Sequence, residues 1–302
     1  MANLGRKIKH TLVKVRPPLF DGLSLWDVLS FFFRGIYEGV ITTRAGAVSF
    51  SFCLALFPGV IFVYMLIAYL PVGNFFQEEL TELITTILPQ NTHTMVVSAI
   101  EEVLSIERGG LLSITFIAAL FFATNGTMSL ISNLSISYHK IRVKNFWAQY
   151  LSALVLTIIL TLLIMSGIVA LIFTENFTEW FSNLLSLNEY RMLVFSIFRS
   201  TILILTILLG ISIVYNYGPV RGKNWRFISP GSVLATLLII ITSQLFRVYV
   251  ENVSKYNEFY GSIGTLMIML LWIYVNAFGL IIGFELNASI AGARLEQVNK
   301  RD

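Results

Sequence analysis

Long apolar runs alternate with short polar connections along most of this chain. Stretches of about twenty or more apolar residues recur at 45–70, 110–137, 146–173, 194–217, 230–250 and 262–290. At 1.5 Å per residue in a helix, each can cross a hydrocarbon layer about 30 Å thick. A helix closes its backbone hydrogen bonds within itself, which a lipid solvent demands. The pattern predicts an all-α, polytopic bundle of six transmembrane helices in a single membrane domain, 24–292, between a basic tail, 1–23, and a short tail, 293–302. Ahead of the first run the period changes. Trp26, Leu29, Phe33, Ile36 and Val40 recur at steps of three and four, with Asp27, Arg34 and Glu38 off that stripe. This predicts an amphipathic helix lying at the membrane surface or packed on a partner domain. The first long connection, 71–109, carries apolar positions at helical spacing on both sides of Pro89, predicting further amphipathic helices in that loop.

Charge sets the threading. Sixteen of the twenty-one Lys and Arg residues fall before the first run, in the second and fourth connections, and after the last run. By the positive-inside rule these segments are cytoplasmic, and so are both termini. The five others, Arg108, Arg191, Arg199, Arg247 and Lys255, fall on the opposite side, with most of the acids. Composition agrees: 56% of the residues are hydrophobic and 13% charged, against about 25% charged in a soluble domain. The basic N-terminal stretch lacks the apolar core of a signal peptide, so no cleavage is expected. The net charge of +4 is spread over loops and ends, unlike the dense stripe that nucleic acid requires. A single cysteine, Cys53, precludes a disulfide framework within the chain. The threading separates His10, His93 and His139, and no phosphate-cradling loop is present. No catalytic residues, metal or cofactor are expected.

Polar residues inside apolar runs are costly and mark helix contacts or pathways. In the second run Asn125, Ser129, Ser132 and Asn133 share one helical face, which either bonds neighbouring helices or lines a wet pathway. In the sixth, Asn276, Gly279, Gly283 and Asn287 share another, a small-residue pair flanked by amides, which reads most simply as a close helix contact, with Asn276 and Asn287, like Glu285, also candidates for a substrate pathway. Pro58 and Gly59 in the first run are a kink, either for packing or as a hinge. Glu285 lies about 160° around the helix from Gly283, so it faces a different neighbour. At depth it needs a nearby cation or a proton, and at the interface it can reach water. Arg44 at the mouth of the first run is the first candidate partner and Arg221 the second.

Four segments carry a family resemblance: RAGAVSFSFCLALFPG, GLLSITFIAALFFATNGTMSLISNLSISYHKIR, YNYGPVRGKNWRFISPGSVLAT and YGSIGTLMIMLLWIYVNAFGLIIGFELNAS. Together they resemble the YihY/BrkB family of bacterial inner-membrane proteins, once mislabelled ribonuclease BN. Ala55 departs from the serine expected before Leu-Phe-Pro. The resemblance implies a six-span protein of the bacterial inner membrane, in a virulence-factor family tied to envelope integrity, serum resistance and export of lipid-linked material. The function expected is a transporter or flippase-like carrier for lipid or lipid-linked anionic substrates. A small-solute or cation/proton exchanger in which Glu285 titrates is one alternative, and a non-transporting envelope scaffold another. Ribonuclease activity is disfavoured. The partners expected are membrane lipids, with envelope proteins or a second copy of the chain also open, and no nucleic acid.

Overall fold

The computed structural model describes residues 17, 23–68, 111–136, 145–184, 190–218, 226–252 and 256–299. Its regular structure within them is helical. The helices are α1 (Leu25–Glu38), α2 (Ile41–Ala68), α3 (Leu111–Ser135), α4 (Phe146–Ile172), α5 (Thr174–Leu184), α6 (Arg191–Tyr217), α7 (Pro230–Asn252) and α8 (Tyr256–Asn299). Five stretches, within α3, α4, α6, α7 and α8, are long and apolar enough to cross a membrane, and Ile41–Ala55 of α2 is a shorter apolar stretch. Leu151, Leu162, Leu205, Ile241 and Leu245 stand exposed on the outer surfaces of α4, α6 and α7. Hydrocarbon is the solvent that suits such a surface, and the chain is a multi-pass membrane protein.

Cross-helix contacts fix the threading. Arg44 near the start of α2 reaches Asn133 near the end of α3, and Gln149 near the start of α4 reaches Ser132 of α3. Tyr215 at the end of α6 donates its hydroxyl hydrogen to the Leu280 carbonyl of α8, and Asn287 of α8 meets the start of α7. These contacts bring the start of α2, the end of α3, the start of α4, the end of α6, the start of α7 and the later half of α8 to one end of the bundle. The largest cluster of buried apolar residues lies at the same end and includes Ile41, Val48, Leu134, Val214, Ile281 and Phe284.

Three features add to the sequence reading. Helix α8 runs for 44 residues, about 66 Å at 1.5 Å per residue and roughly twice a hydrocarbon layer. It therefore continues into the segment read as a short tail, where Glu296 is exposed. The connection between α4 and α6 holds the short helix α5, which turns Thr174, Thr178 and Ser182 inward. Its Phe177 and Phe181 pack on Phe198 of α6 with ring centroids 5.1 and 5.4 Å away, and Trp180 stays exposed. The third concerns α1, which starts where the Ser24 hydroxyl accepts from the Asp27 amide at 3.1 Å, a standard N-cap. It packs on the bundle through a face other than the exposed part of the apolar stripe, which is left for the membrane surface or a partner. Val28 and Gly35 are buried, while Phe33 and Val40 are exposed and Tyr37 is 90% exposed. Apolar periodicity scores large side chains, and here the helix approaches α8 through a glycine. The segment 71–110, with the amphipathic helices read there, lies outside the described residues.

Candidate functional site

Between α1 and α2 the chain turns at Gly39 and Val40, and Val40 has φ of 47°. That left-handed conformation disfavours a β-branched residue and is held only where the surroundings demand it. One turn on, Arg44 is buried and folds back under the elbow. Its Nη1 donates to the Gly39 carbonyl at 3.3 Å and to Glu285 Oε2 at 3.4 Å, and its Nε donates to the Asn133 carbonyl at 2.8 Å. Asn133 stands two residues before the end of α3, so its carbonyl is one of the four left unsatisfied at a helix C-terminus, where a cation is also favoured by the helix dipole. One guanidinium thus joins the α1–α2 elbow, α3 and α8.

Glu285 is fully buried, with side-chain exposure of 0% against 5% for Arg44. Gly35 of α1 makes room for it: a Cβ there would lie 2.6 Å from Glu285 Oε1. Around the pair, α1 presents Arg34 and Glu38 to solvent, and Arg226 and Arg294 are exposed at the same end. Arg44 was the partner named first from the sequence; Arg221, the second, lies outside the described residues. The Nη2 of Arg44 is buried without a hydrogen-bond partner among the described residues.

The opposite face of α8 is neutral. Asn287 Oδ1 accepts from the Gly231 amide at 2.8 Å, and its Nδ2 donates to the Ser229 hydroxyl at 2.7 Å. Ser229 and Ser232 also cap each other's amides around Pro230, the first residue of α7, a position where a missing N–H costs nothing. A Cβ on Gly231 would collide with the Gly283 carbonyl oxygen, and one on Gly279 would touch Leu238. Higher up, Asn276 donates to the Trp272 carbonyl of its own helix at 2.7 Å and accepts from Ser243 of α7 at 3.4 Å. The face Asn276, Gly279, Gly283, Asn287 is therefore the antiparallel seam with α7.

The polar stripe of α3 is half-buried at Ser129, Ser132 and Asn133, with Asn125 above them. Asn133 Nδ2 donates to the Ser129 carbonyl at 2.9 Å, and Ser132 Oγ accepts from Gln149 of α4 at 3.1 Å. Its lower end is tied to Arg44 only through the Asn133 backbone. Helix α2 continues through Pro58 and Gly59, whose surroundings lie outside the described side chains. Sequence reasoning missed Gly35, Gln149, Ser229 and the Thr157–Thr127 hydroxyl bond of 2.9 Å. Gly35 had a signal, since it stands four residues before Gly39, the C-cap of α1, the small-residue spacing of close helix contacts. Among the described residues, no group of three or more His, Cys, Asp or Glu comes together.

This arrangement, a helical membrane bundle with a buried ion pair at one end, defines the class: a multi-pass membrane protein without a metal-ligand cluster among its described residues. The family model for virulence factor BrkB matches residues 32–302, and the chain belongs to that family. It is 30% identical over 253 residues to the "Putative ribonuclease-like protein YfkH" of Bacillus subtilis (strain 168), covering 84% of this chain and 90% of that protein. It is 26% identical over 282 residues to UPF0761 membrane protein NTHI0384 of Haemophilus influenzae (strain 86-028NP), covering 91% of this chain and all of the relative. UPF0761 membrane protein NT05HA_1801 of Aggregatibacter aphrophilus (strain NJ8700) is 23% identical over 273 residues, covering 89% and 94%. No solved structure matches the chain.

Proposed function

We propose that this protein is a flippase-like carrier of the bacterial inner membrane that moves an envelope amphiphile between leaflets, with the Arg44 end facing the cytoplasm. The observation that carries this reading is the charge pair buried where α1, α2, α3 and α8 meet. Burying two ions is costly, and apolar residues of similar volume often do as well or better for stability alone. A charge pair retained at a helix crossing suits a contact that must open and close, and a polar headgroup that competes for either member supplies the energy to open it. The basic cytoplasmic segments attract anionic headgroups towards that end.

The ribonuclease-like name of YfkH brings no ligand set to this chain: its three histidines lie outside the described residues, on segments the threading separates. A static scaffold is favoured by one feature, the neutral seam of α7 and α8, whose close glycine contact suits a fixed joint.

The test is transport of a fluorescent phospholipid in proteoliposomes, read by chemical quenching of the outer leaflet. The wild type is expected to move label faster than empty vesicles, and Glu285→Gln to slow it at least tenfold while the protein remains folded. A folded wild type that moves no lipid above background overturns the carrier and leaves the scaffold.

A further inference from the structure

We infer that Arg44 is a binding residue for an anionic phosphate-type oxygen, taken through its Nη2 in competition with Glu285. The inference rests on the carrier reading and names the headgroup chemistry that the carrier would recognise. Three observations support it.

The first is the donor count. A guanidinium has five N–H groups in a planar fork, and the hydrogen bonds of Arg44 engage only Nε and Nη1 among the described residues. Nη2, with two N–H groups, is buried without a partner among them. A buried charged donor left unmade is costly, and an acceptor that reaches it recovers part of that cost.

The second is the looseness of the hold. The Arg44–Glu285 contact is 3.4 Å, beyond the 2.7–2.9 Å of a strong charge-assisted bond. The shortest bond of Arg44 runs instead to the Asn133 carbonyl through Nε, at 2.8 Å. Anchored there, the fork can turn its Nη edge towards a ligand without leaving α3, and phosphate matches that edge with two oxygens.

The third is the surrounding charge. Glu285 and the C-terminus of α3 are negative at short range, so an added anion is accepted only as a competitor of Glu285. At longer range the positive-inside reading of the sequence reverses the field, assigning sixteen basic residues and six acids, Asp21, Asp27, Glu38, Glu285, Glu296 and Asp302, to the side of Arg44. Arg226 and Arg294 are exposed there, where they raise the local concentration of anions.

The ligand's phosphate oxygen can come from a lipid headgroup or from free phosphate, and calorimetry on the full-length protein in maltoside micelles separates them. The probes are inorganic phosphate, short-chain phosphatidylglycerol and, as a phosphate-free control, short-chain diacylglycerol. Saturable binding of either phosphate compound and none of diacylglycerol is expected. Phosphatidylglycerol binding at least tenfold tighter points to a lipid headgroup, and equal affinities point to free phosphate, both in support. Arg44→Lys, which keeps the charge and loses the fork, should weaken binding at least tenfold. Should that variant not fold, Glu285→Gln decides, since removing the competitor should tighten binding several-fold. Affinities unchanged in either folded variant, or equal binding of diacylglycerol, overturn the inference. Arg44-dependent binding by a protein that moves no lipid leaves the subsite standing and removes the carrier; transport without such binding does the reverse.

Discussion

Within two turns of α8, two faces bury polar groups in opposite ways. Gly283 and Asn287 turn to α7, where glycine meets glycine backbone to backbone and the amide has both its oxygen and its nitrogen bonded. Glu285, between them in sequence, turns to α1 and α2, where a carboxylate and a guanidinium are sealed together at 3.4 Å. The first solution is neutral, short-range and hard to reverse, because opening it strands several partners at once. The second depends on charge, reaches across three other elements through a single side chain, and keeps a donor in reserve. One helix thus has a fixed joint on one side and a contact suited to switching on the other.

The sharpest way to break that contrast is to remove one ion. Glu285→Gln or Arg44→Gln alone should cost about 3–5 kcal/mol, because each leaves a buried charge uncompensated. The double change should cost at least about 2 kcal/mol less than the sum. Replacing both by Met should restore most of the stability and none of the transport. Thermal unfolding in detergent, beside the liposome assay, checks both. A Met pair that transports normally would make the ion pair mere filling and erase the difference between the two faces.

Next in size is the joint. Gly231→Ala sets a methyl group against a carbonyl oxygen of the facing backbone, a collision that no rotamer change relieves. The expected cost is about 3 kcal/mol, the upper end for overpacking. Gly35→Ala meets only the side chain of Glu285, Oε1 at 2.6 Å and Cγ at 3.0 Å, which can shift where backbone cannot, so about 1–2 kcal/mol is expected there. Its larger effect should be on transport, through displacement of the carboxylate. Equal stability losses for the two would mean that α1 is as fixed as α7.

What could be read in advance follows the same division. The helices were legible because lipid imposes apolar runs of fixed length. The α7–α8 seam was legible because Gly279 and Gly283 repeat at four. Glu285 facing another neighbour was legible from its angle alone, and Arg44 from its place at the mouth of α2. The packing of α1 on α8 was not read: Gly35 adds nothing to an apolar period, and its spacing of four from Gly39 was the one mark of a close approach. Helix α5 was hidden because it turns hydroxyls inward while Trp180 stays exposed and Phe177 and Phe181 pack sideways on Phe198, unlike a soluble amphipathic helix. The Asn133 carbonyl and the reserve donor of Arg44 belong to backbone and geometry, which a residue list does not encode.

A smaller effect tests the neutral side. Asn287→Ala removes the acceptor of the Gly231 amide and the donor to Ser229. It should cost about 2 kcal/mol, as for buried polar groups left unmatched, and leave phosphate affinity unchanged within twofold. A change in affinity as large as that of Arg44→Lys would show that the two faces of α8 are coupled.

The smallest expected effect has the opposite sign and lies at the elbow. Val40 holds φ of 47°, a conformation that costs an L-residue roughly 1–2 kcal/mol and a β-branched one no less. Asn tolerates it, so Val40→Asn should stabilise the protein by about 1 kcal/mol if strain alone counts. Val40 is also exposed on an apolar face beside Phe33 and Tyr37, and membrane contact there would forfeit the valine's transfer energy, about 1–2 kcal/mol. Measured in detergent and again in phospholipid nanodiscs, the sign therefore locates the elbow. A gain in both places it in water, where relief of strain outweighs the lost apolar contact. A gain in detergent that becomes a loss in nanodiscs seats α1 in the headgroup layer, where pressure on the lipid surface would bear on Gly39, the carbonyl that Arg44 Nη1 holds along with Glu285.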